Sequence, residues 1–157
     1  MPKSPWRWID LPPVWLLAAI GVVWGFDWLM PWGLFGPLGP GVGAALIGVG
    51  IVMIVLAAAQ MLAARTTVIP RKQPSRLVTS GVFGWSRNPI YLGDAMILAG
   101  VILWWDVPVA VPLVFGFILL IQHRFILAEE AVLQAAFGQS FTQWTARTGR
   151  WFGRKMR

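Results

Sequence analysis

At 157 residues the chain has room for one domain, and 57% hydrophobic against 12% charged residues excludes an ordinary soluble fold, which carries about a quarter charged. Residues 11–26, 28–64 and 107–122 hold no charge at all, the pattern of a membrane protein. With no cysteine and one histidine, thiolate and histidine-built metal sites and disulfides are not expected, and the net charge of +7 sits beside apolar runs, where lipid headgroups and not nucleic acid account for it.

The N-terminal run reads as a retained anchor, because Pro12 and Pro13 interrupt it and no small-residue cleavage site closes it. A first helix is expected over residues 12–30 and a second over 40–64, separated by Pro31, Pro37 and Pro40. The second would be about 38 Å long, more than a hydrocarbon core of about 30 Å, so it must tilt or extend into the interface. Residues 65–88 change character. Arg65, Arg71, Lys72, Arg76 and Arg87 bring positive charge with no carboxylate, and Pro70, Pro74, Gly81 and Gly84 break regular structure, which makes a basic loop at a membrane surface. A third helix is expected over 89–105, a tight turn at Asp106, Val107 and Pro108, and a fourth helix through Leu127. That helix should leave the bilayer as a mixed polar and apolar segment over 128–137, with Gly138 as its C-cap.

The expected fold is therefore all-α: a polytopic membrane helical bundle of about four transmembrane helices, with a helix three to four hairpin and a cytoplasmic C-terminal helical segment. It forms a single integral membrane domain over residues 1–157. Lys3, Arg7, the basic loop, Arg147, Arg150, Arg154, Lys155 and Arg157 should be cytoplasmic, since the opposite loops carry no Lys or Arg. Both termini are then inside, and in a bacterium the membrane is the inner one. Trp6, Trp8, Trp28, Trp32, Trp104, Trp105, Trp144 and Trp151 fall near helix ends and read as interfacial belts more readily than as ligand-stacking groups. Membrane lipids are the implied partners, and no obligate protein partner is inferred.

Chemistry concentrates in two places. In Gly81-Val82-Phe83-Gly84-Trp85-Ser86-Arg87-Asn88-Pro89-Ile90-Tyr91-Leu92-Gly93 a basic loop turns into a helix, whose free N–H groups, positive dipole end and Arg87 suit a carboxylate or phosphate. A proline-started helix with a snorkelling arginine is the plainer alternative. Arg87, Tyr91 and Asp94 share a face, so Asp94 either pairs with Arg87 or contacts a ligand. In the second place, residues 122–130, Glu129 and Glu130 lie about 100° apart, so one can bind a ligand while the other pairs with arginine; a solvated helix end is the alternative. His123 and Gln134 share the face of Glu130, which tilts the ligand role toward Glu130. His123 itself reads as structural.

Taken together, Arg87-Asn88-Pro89-Ile90-Tyr91-Leu92-Gly93, then Glu129-Glu130 and Leu133, then Phe137-Gly138, Phe141, Trp144 and Arg150-Trp151 resemble the isoprenylcysteine carboxyl methyltransferase and phospholipid methyltransferase superfamily. The resemblance covers residues 77–151. It departs from the usual pattern at Asn88, Val82, Phe83, Phe141 and Trp144. It implies an integral membrane methyltransferase that uses S-adenosylmethionine, with its catalytic region over residues 65–157 and a lipophilic acceptor such as a prenyl-cysteine-like carboxylate, a lipid amine or a small thiol. Cofactor binding is then expected of Leu77, Val78, Gly81, Val82, Phe83, Arg87, Asn88, Pro89, Tyr91, Gly93, Glu129 and Glu130, and catalytic roles of Arg150 and Asp94, with no metal. Arg150 would orient or shield the acceptor, or else anchor a headgroup. An NADPH-dependent sterol-type reductase and a non-enzymatic membrane scaffold are the competing readings.

Overall fold

The computed structural model describes residues 10–67 and 74–153. Lys3, Trp6, Arg7, Trp8, Pro70, Arg71, Lys72, Arg154, Lys155 and Arg157 lie outside the described residues. Five α-helices follow in order: α1 (Pro12–Leu29), α2 (Leu38–Ala63), α3 (Pro89–Trp104), α4 (Val111–Ile121) and α5 (Leu127–Arg147). No strand occurs among the described residues, and the polytopic all-α architecture holds. Pro12–Leu29, Leu38–Ala63 and Pro108–Arg147 are long and apolar enough to cross a bilayer, whereas Pro89–Trp104 is a shorter apolar helix. That short helix is the centre of the bundle. Tyr91, Gly93, Asp94, Ala95, Leu98, Gly100 and Ile102 are buried in it, so neighbouring helices cover more of it than lipid does.

The α2–α3 contact is antiparallel and very close. A Cβ built on Gly43 would lie 2.5 Å from the Gly100 carbonyl oxygen, one on Gly100 2.7 Å from the Gly43 oxygen, and Gly50 and Gly93 face each other's oxygens at 2.7 Å. Small residues at seven-residue spacing let the two backbones touch, which in lipid replaces the hydrophobic drive that water supplies. On the other face of α3, Tyr91, Ala95, Leu98 and Ile102 meet Leu16, Ala19 and Val23 of α1 and Phe117, Ile121 and Phe125 from the fourth crossing.

Both helices that border α3 loops stop in the same way. Arg65 and Asp106 take left-handed φ values of 53° and 55°. The following N–H groups reach back, Thr66 to the Met61 carbonyl at 3.0 Å and Val107 to Ile102 at 2.9 Å. At the second stop the Asp106 carboxylate then accepts the N–H groups of Leu34, Phe35 and Gly36 at 2.8, 2.7 and 3.2 Å, tying the α1–α2 loop to the α3–α4 turn. These backbone bonds, Phe35 first and Leu34 next, hold the Asp106 carboxyl below the ordinary carboxylate range. A depressed pKa contributes stability that is complete above the unfolded value of about 4 and is lost as pH falls through the folded one. Asp106→Asn should therefore melt below the parent near pH 7 in a thermal scan, and the gap should close as both are taken below about pH 4.

The fourth crossing differs from a continuous helix in two ways. Gln122–Ile126 forms a π-helical turn between α4 and α5. The regular helix also ends at Gly138, where φ is 47° and ψ −115°, as the C-cap reading expected, and a second helical stretch follows across this kink to Arg147. The kink returns Phe141 and Trp144 to the bundle, where they form a second core with Ala57 and Phe83.

Candidate active site

The basic loop is folded back onto the end of α2. Thr66 Oγ1 accepts the N–H of Ser75 at 3.1 Å, and Ser75 Oγ donates to the Arg65 carbonyl at 2.7 Å. A 3₁₀ turn at Gly81–Gly84 follows, with Gly81 at φ 60° pressed on the Gln60 side chain. Phe83 is inserted into the second core, and its carbonyl accepts the Trp144 indole N–H at 3.1 Å. Leu77, Val78 and Val82 pack around the same core.

The C-terminal segment closes over the start of α3. The Arg87 N–H donates to the Gly149 carbonyl and the Gly153 N–H to the Trp85 carbonyl, both at 3.0 Å. Asn88 is the N-cap by position, but its side-chain amide donates to the Arg150 carbonyl at 3.0 Å and makes no capping bond. The buried Ser86 hydroxyl accepts the Asn88 N–H at 3.0 Å, and Pro89 is fully buried as the first helical residue.

These contacts assemble a layer of charge. Arg150 grips both oxygens of Glu130, Nε on Oε1 at 3.0 Å and Nη2 on Oε2 at 2.7 Å, and Arg87 Nη1 reaches Oε1 at 2.9 Å. The hydroxyl of Tyr91 donates to Glu129 Oε1 at 2.8 Å. Burial pushes the Arg87 guanidinium down, Glu130 pushes it back up and Arg150 lowers it again; the bond to Glu130 raises Arg150. Two arginines around one carboxylate leave one positive charge, and the buried Arg87 Nε has no hydrogen-bond partner. Gln60 Oε1 is likewise buried without a donor. Beside this layer a cleft of about 690 Å³ is lined by Leu77, Gly84, Phe137, Trp144, Arg147 and Thr148, on segments that run directly into Arg87 and Arg150.

Six of the residues singled out in the sequence thus come together: Arg87, Asn88, Tyr91, Glu129, Glu130 and Arg150. Others do not. Gly93 faces the backbone of α2 and is a helix contact, so its expected place at a cofactor is corrected. Asp94 is buried but is not paired with Arg87, because Glu130 takes that guanidinium. The polar stripe drawn through His123, Glu130 and Gln134 is absent: His123 is exposed, and Gln134 donates to the Gly138 carbonyl. A π turn holds an extra residue, which shifts the phase of everything after it and defeats counting at 100° per residue. The belt reading fails for Trp144, which is buried in the second core; the Trp151 indole N–H donates to Gln122 at 3.0 Å.

Sequence reasoning missed Gln60, Ser86 and the pairing of Arg124 with Asp10, which joins the fourth crossing to the start of α1 with Trp15 beneath the guanidinium. Only the place of a lone Gln late in an otherwise apolar helix signals any of them in the sequence.

A family model described as phospholipid methyltransferase matches residues 40–140, from the start of α2 through the kink. This chain belongs to the phospholipid methyltransferase family. Membership makes methyl transfer at a membrane its class of activity, and places Arg87, Asn88, Tyr91, Glu129 and Glu130 within the matched span. Neither a curated protein nor a solved structure matches the chain.

Proposed function

We propose that the protein moves a methyl group from S-adenosylmethionine to a lipophilic acceptor, at a site built by residues 65–157 and braced on α2. The observation that carries this is the mixed-charge layer at one end of the bundle, with orphaned polar atoms of both signs beside it. The methionine end of the donor is a zwitterion: its carboxylate suits Arg87 Nε and the N–H groups at the start of α3, and its ammonium suits a carboxylate. Glu130 has both oxygens engaged by arginine, so Glu129, oriented by Tyr91, takes the ammonium role that the sequence tilted toward Glu130. The cleft beside Leu77, Gly84 and Trp144 suits the nucleoside, and Gln60 Oε1 suits a base N–H.

Bound there, the sulfonium supplies an electrophilic methyl group that is displaced in line, so the protein's work is alignment and exclusion of water. Phe83 and Trp144 seal the aqueous side, Glu130 and the Asn88 amide fix Arg150 over the layer, and the acceptor enters from the bilayer. Arg65, Arg76, Arg87, Arg124, Arg147 and Arg150 all belong to the loops and helix ends on this side, while the loop after α1 and the α3–α4 turn hold no Lys or Arg. This side is therefore cytoplasmic.

Titration calorimetry on detergent-purified protein tests the reading. S-adenosylhomocysteine should bind and NADPH should not. Heat with NADPH alone would turn the assignment to a reductase, and heat with neither would leave a scaffold.

A further inference from the structure

We propose that Asp94 is the group that takes the proton from the acceptor, and that it thereby restricts the acceptor to one with a hydrogen on its nucleophilic nitrogen, oxygen or sulfur, and rejects a carboxylate. The inference rests on the methyl-transfer reading above. Asp94 is 5% exposed in a membrane helix, and its Oδ2 has no hydrogen-bond partner. A carboxylate at that depth is costly, and such groups in membrane proteins serve ligands or protons far more often than architecture. The architectural explanations open to it have other commitments. Arg87, seven residues earlier and on the same stripe, is bound to Glu130 at 2.9 Å, and the hydroxyl of Tyr91, three residues earlier, is bound to Glu129 at 2.8 Å.

Its depth fits the task. Three residues beyond Tyr91 along α3 is about 4.5 Å further from the charged layer, toward the middle of the bilayer and away from water. An acceptor arriving through the bilayer meets Asp94 on the lipid side of the groups assigned to the methyl donor. The step balances with no further reactant. The lone pair of the acceptor atom forms a bond to the methyl carbon as the carbon–sulfur bond breaks, its electron pair staying on sulfur. The acceptor's hydrogen passes as a proton to Asp94 Oδ2, so one positive and one negative charge disappear together. The carboxyl then loses its proton as product leaves. A carboxylate acceptor has no proton to give, and Asp94 repels it.

The test uses the full chain in lipid nanodiscs, with Asp94→Asn and Asp94→Ala beside the parent. Three quantities are read: thermal midpoint, S-adenosylhomocysteine affinity by calorimetry, and transfer of labelled methyl to dodecylamine, dodecanethiol, dodecanol and a farnesylcysteine carboxylate. The parent should methylate at least one of the hydrogen-bearing probes and not the carboxylate. Asp94→Asn should keep its fold, bind S-adenosylhomocysteine within about threefold of the parent and lose transfer by about a hundredfold or more, the usual range for a general base. Asp94→Ala should lose as much.

Transfer by folded Asp94→Asn within threefold of the parent overturns the proposal. So does a parent that prefers the carboxylate or that binds S-adenosylhomocysteine yet methylates none of the hydrogen-bearing probes. Loss of S-adenosylhomocysteine binding in the folded Asn variant also overturns it, by placing Asp94 at the donor. A parent that does not bind S-adenosylhomocysteine defeats the methyl-transfer reading itself, and this inference falls with it.

Discussion

Glu129→Gln is expected to weaken S-adenosylhomocysteine binding by a factor of about a hundred to several thousand, and Glu130→Gln to leave that binding almost unchanged and lower the thermal midpoint. The difference comes from what each carboxylate holds. Removing one partner of a desolvated ion pair costs about 3 to 5 kcal/mol, because the other charge stays buried and unpaired. Glu130 is that partner for Arg87, whose side chain is only 10% exposed, and Arg150 adds less because it is 33% exposed and better screened. The Gln variant therefore loosens the fastening between α5, the start of α3 and the C-terminal turn, and melts lower. At Glu129 the Tyr91 hydroxyl still finds an acceptor oxygen in glutamine, so that contact survives the change while the charge that would hold the ligand ammonium is lost. Calorimetry and thermal melts on the two single variants decide it. If both bind within about threefold of the parent, neither carboxylate serves the donor. If the losses come out exchanged, Glu130 is the ligand group after all.

Helix existence and order were legible because they depend on local features. Proline stood in the first turn of α1 and α3, charge-free runs were long, and Asp106-Val107-Pro108 sat where a turn was needed. The gathering of Arg87, Asn88, Tyr91 and the two glutamates was legible from order and spacing, since a hairpin must return the end of the fourth crossing to the start of α3. The pairings inside the gathering were not. One extra residue in the Gln122–Ile126 turn re-aims every side chain after it, and nothing in Gln122-His123-Arg124-Phe125-Ile126 announces a π turn. Asp10 and Arg124 are 114 residues apart, a distance no local pattern bridges. Asp106 read only as a turn residue, although its carboxylate organises the opposite loop. The glycines at 43, 50, 93 and 100 are different: their seven-residue spacing within each pair is visible in the sequence itself.

That spacing carries the remaining large effect. Gly100→Ala should lower the thermal midpoint, and Gly100→Leu should leave no folded protein by gel filtration in detergent, while Gly48→Ala should be neutral or stabilising. In a helix interior, alanine is ordinarily favoured over glycine by about 1 kcal/mol. At Gly48 nothing lies within 4 Å of the new methyl, so that preference is all that changes. At Gly100 the methyl would lie 2.7 Å from the Gly43 carbonyl oxygen and 3.0 Å from the Ile47 nitrogen. A backbone atom cannot rotate away as a side chain can, so the helices must part. Overpacking a tight contact costs about 1 to 3 kcal/mol, and parting α2 from α3 also loosens Gly50 against Gly93 half-way along the same seam. Leucine would hold the pair apart along its length. Because α3 carries Tyr91, Asp94 and the Asn88 start, and α2 carries Gln60, this seam sets the width of the proposed site. A Gly100→Ala variant that melts at or above the parent would mean that the two backbones are not in contact and that the site is wider than described.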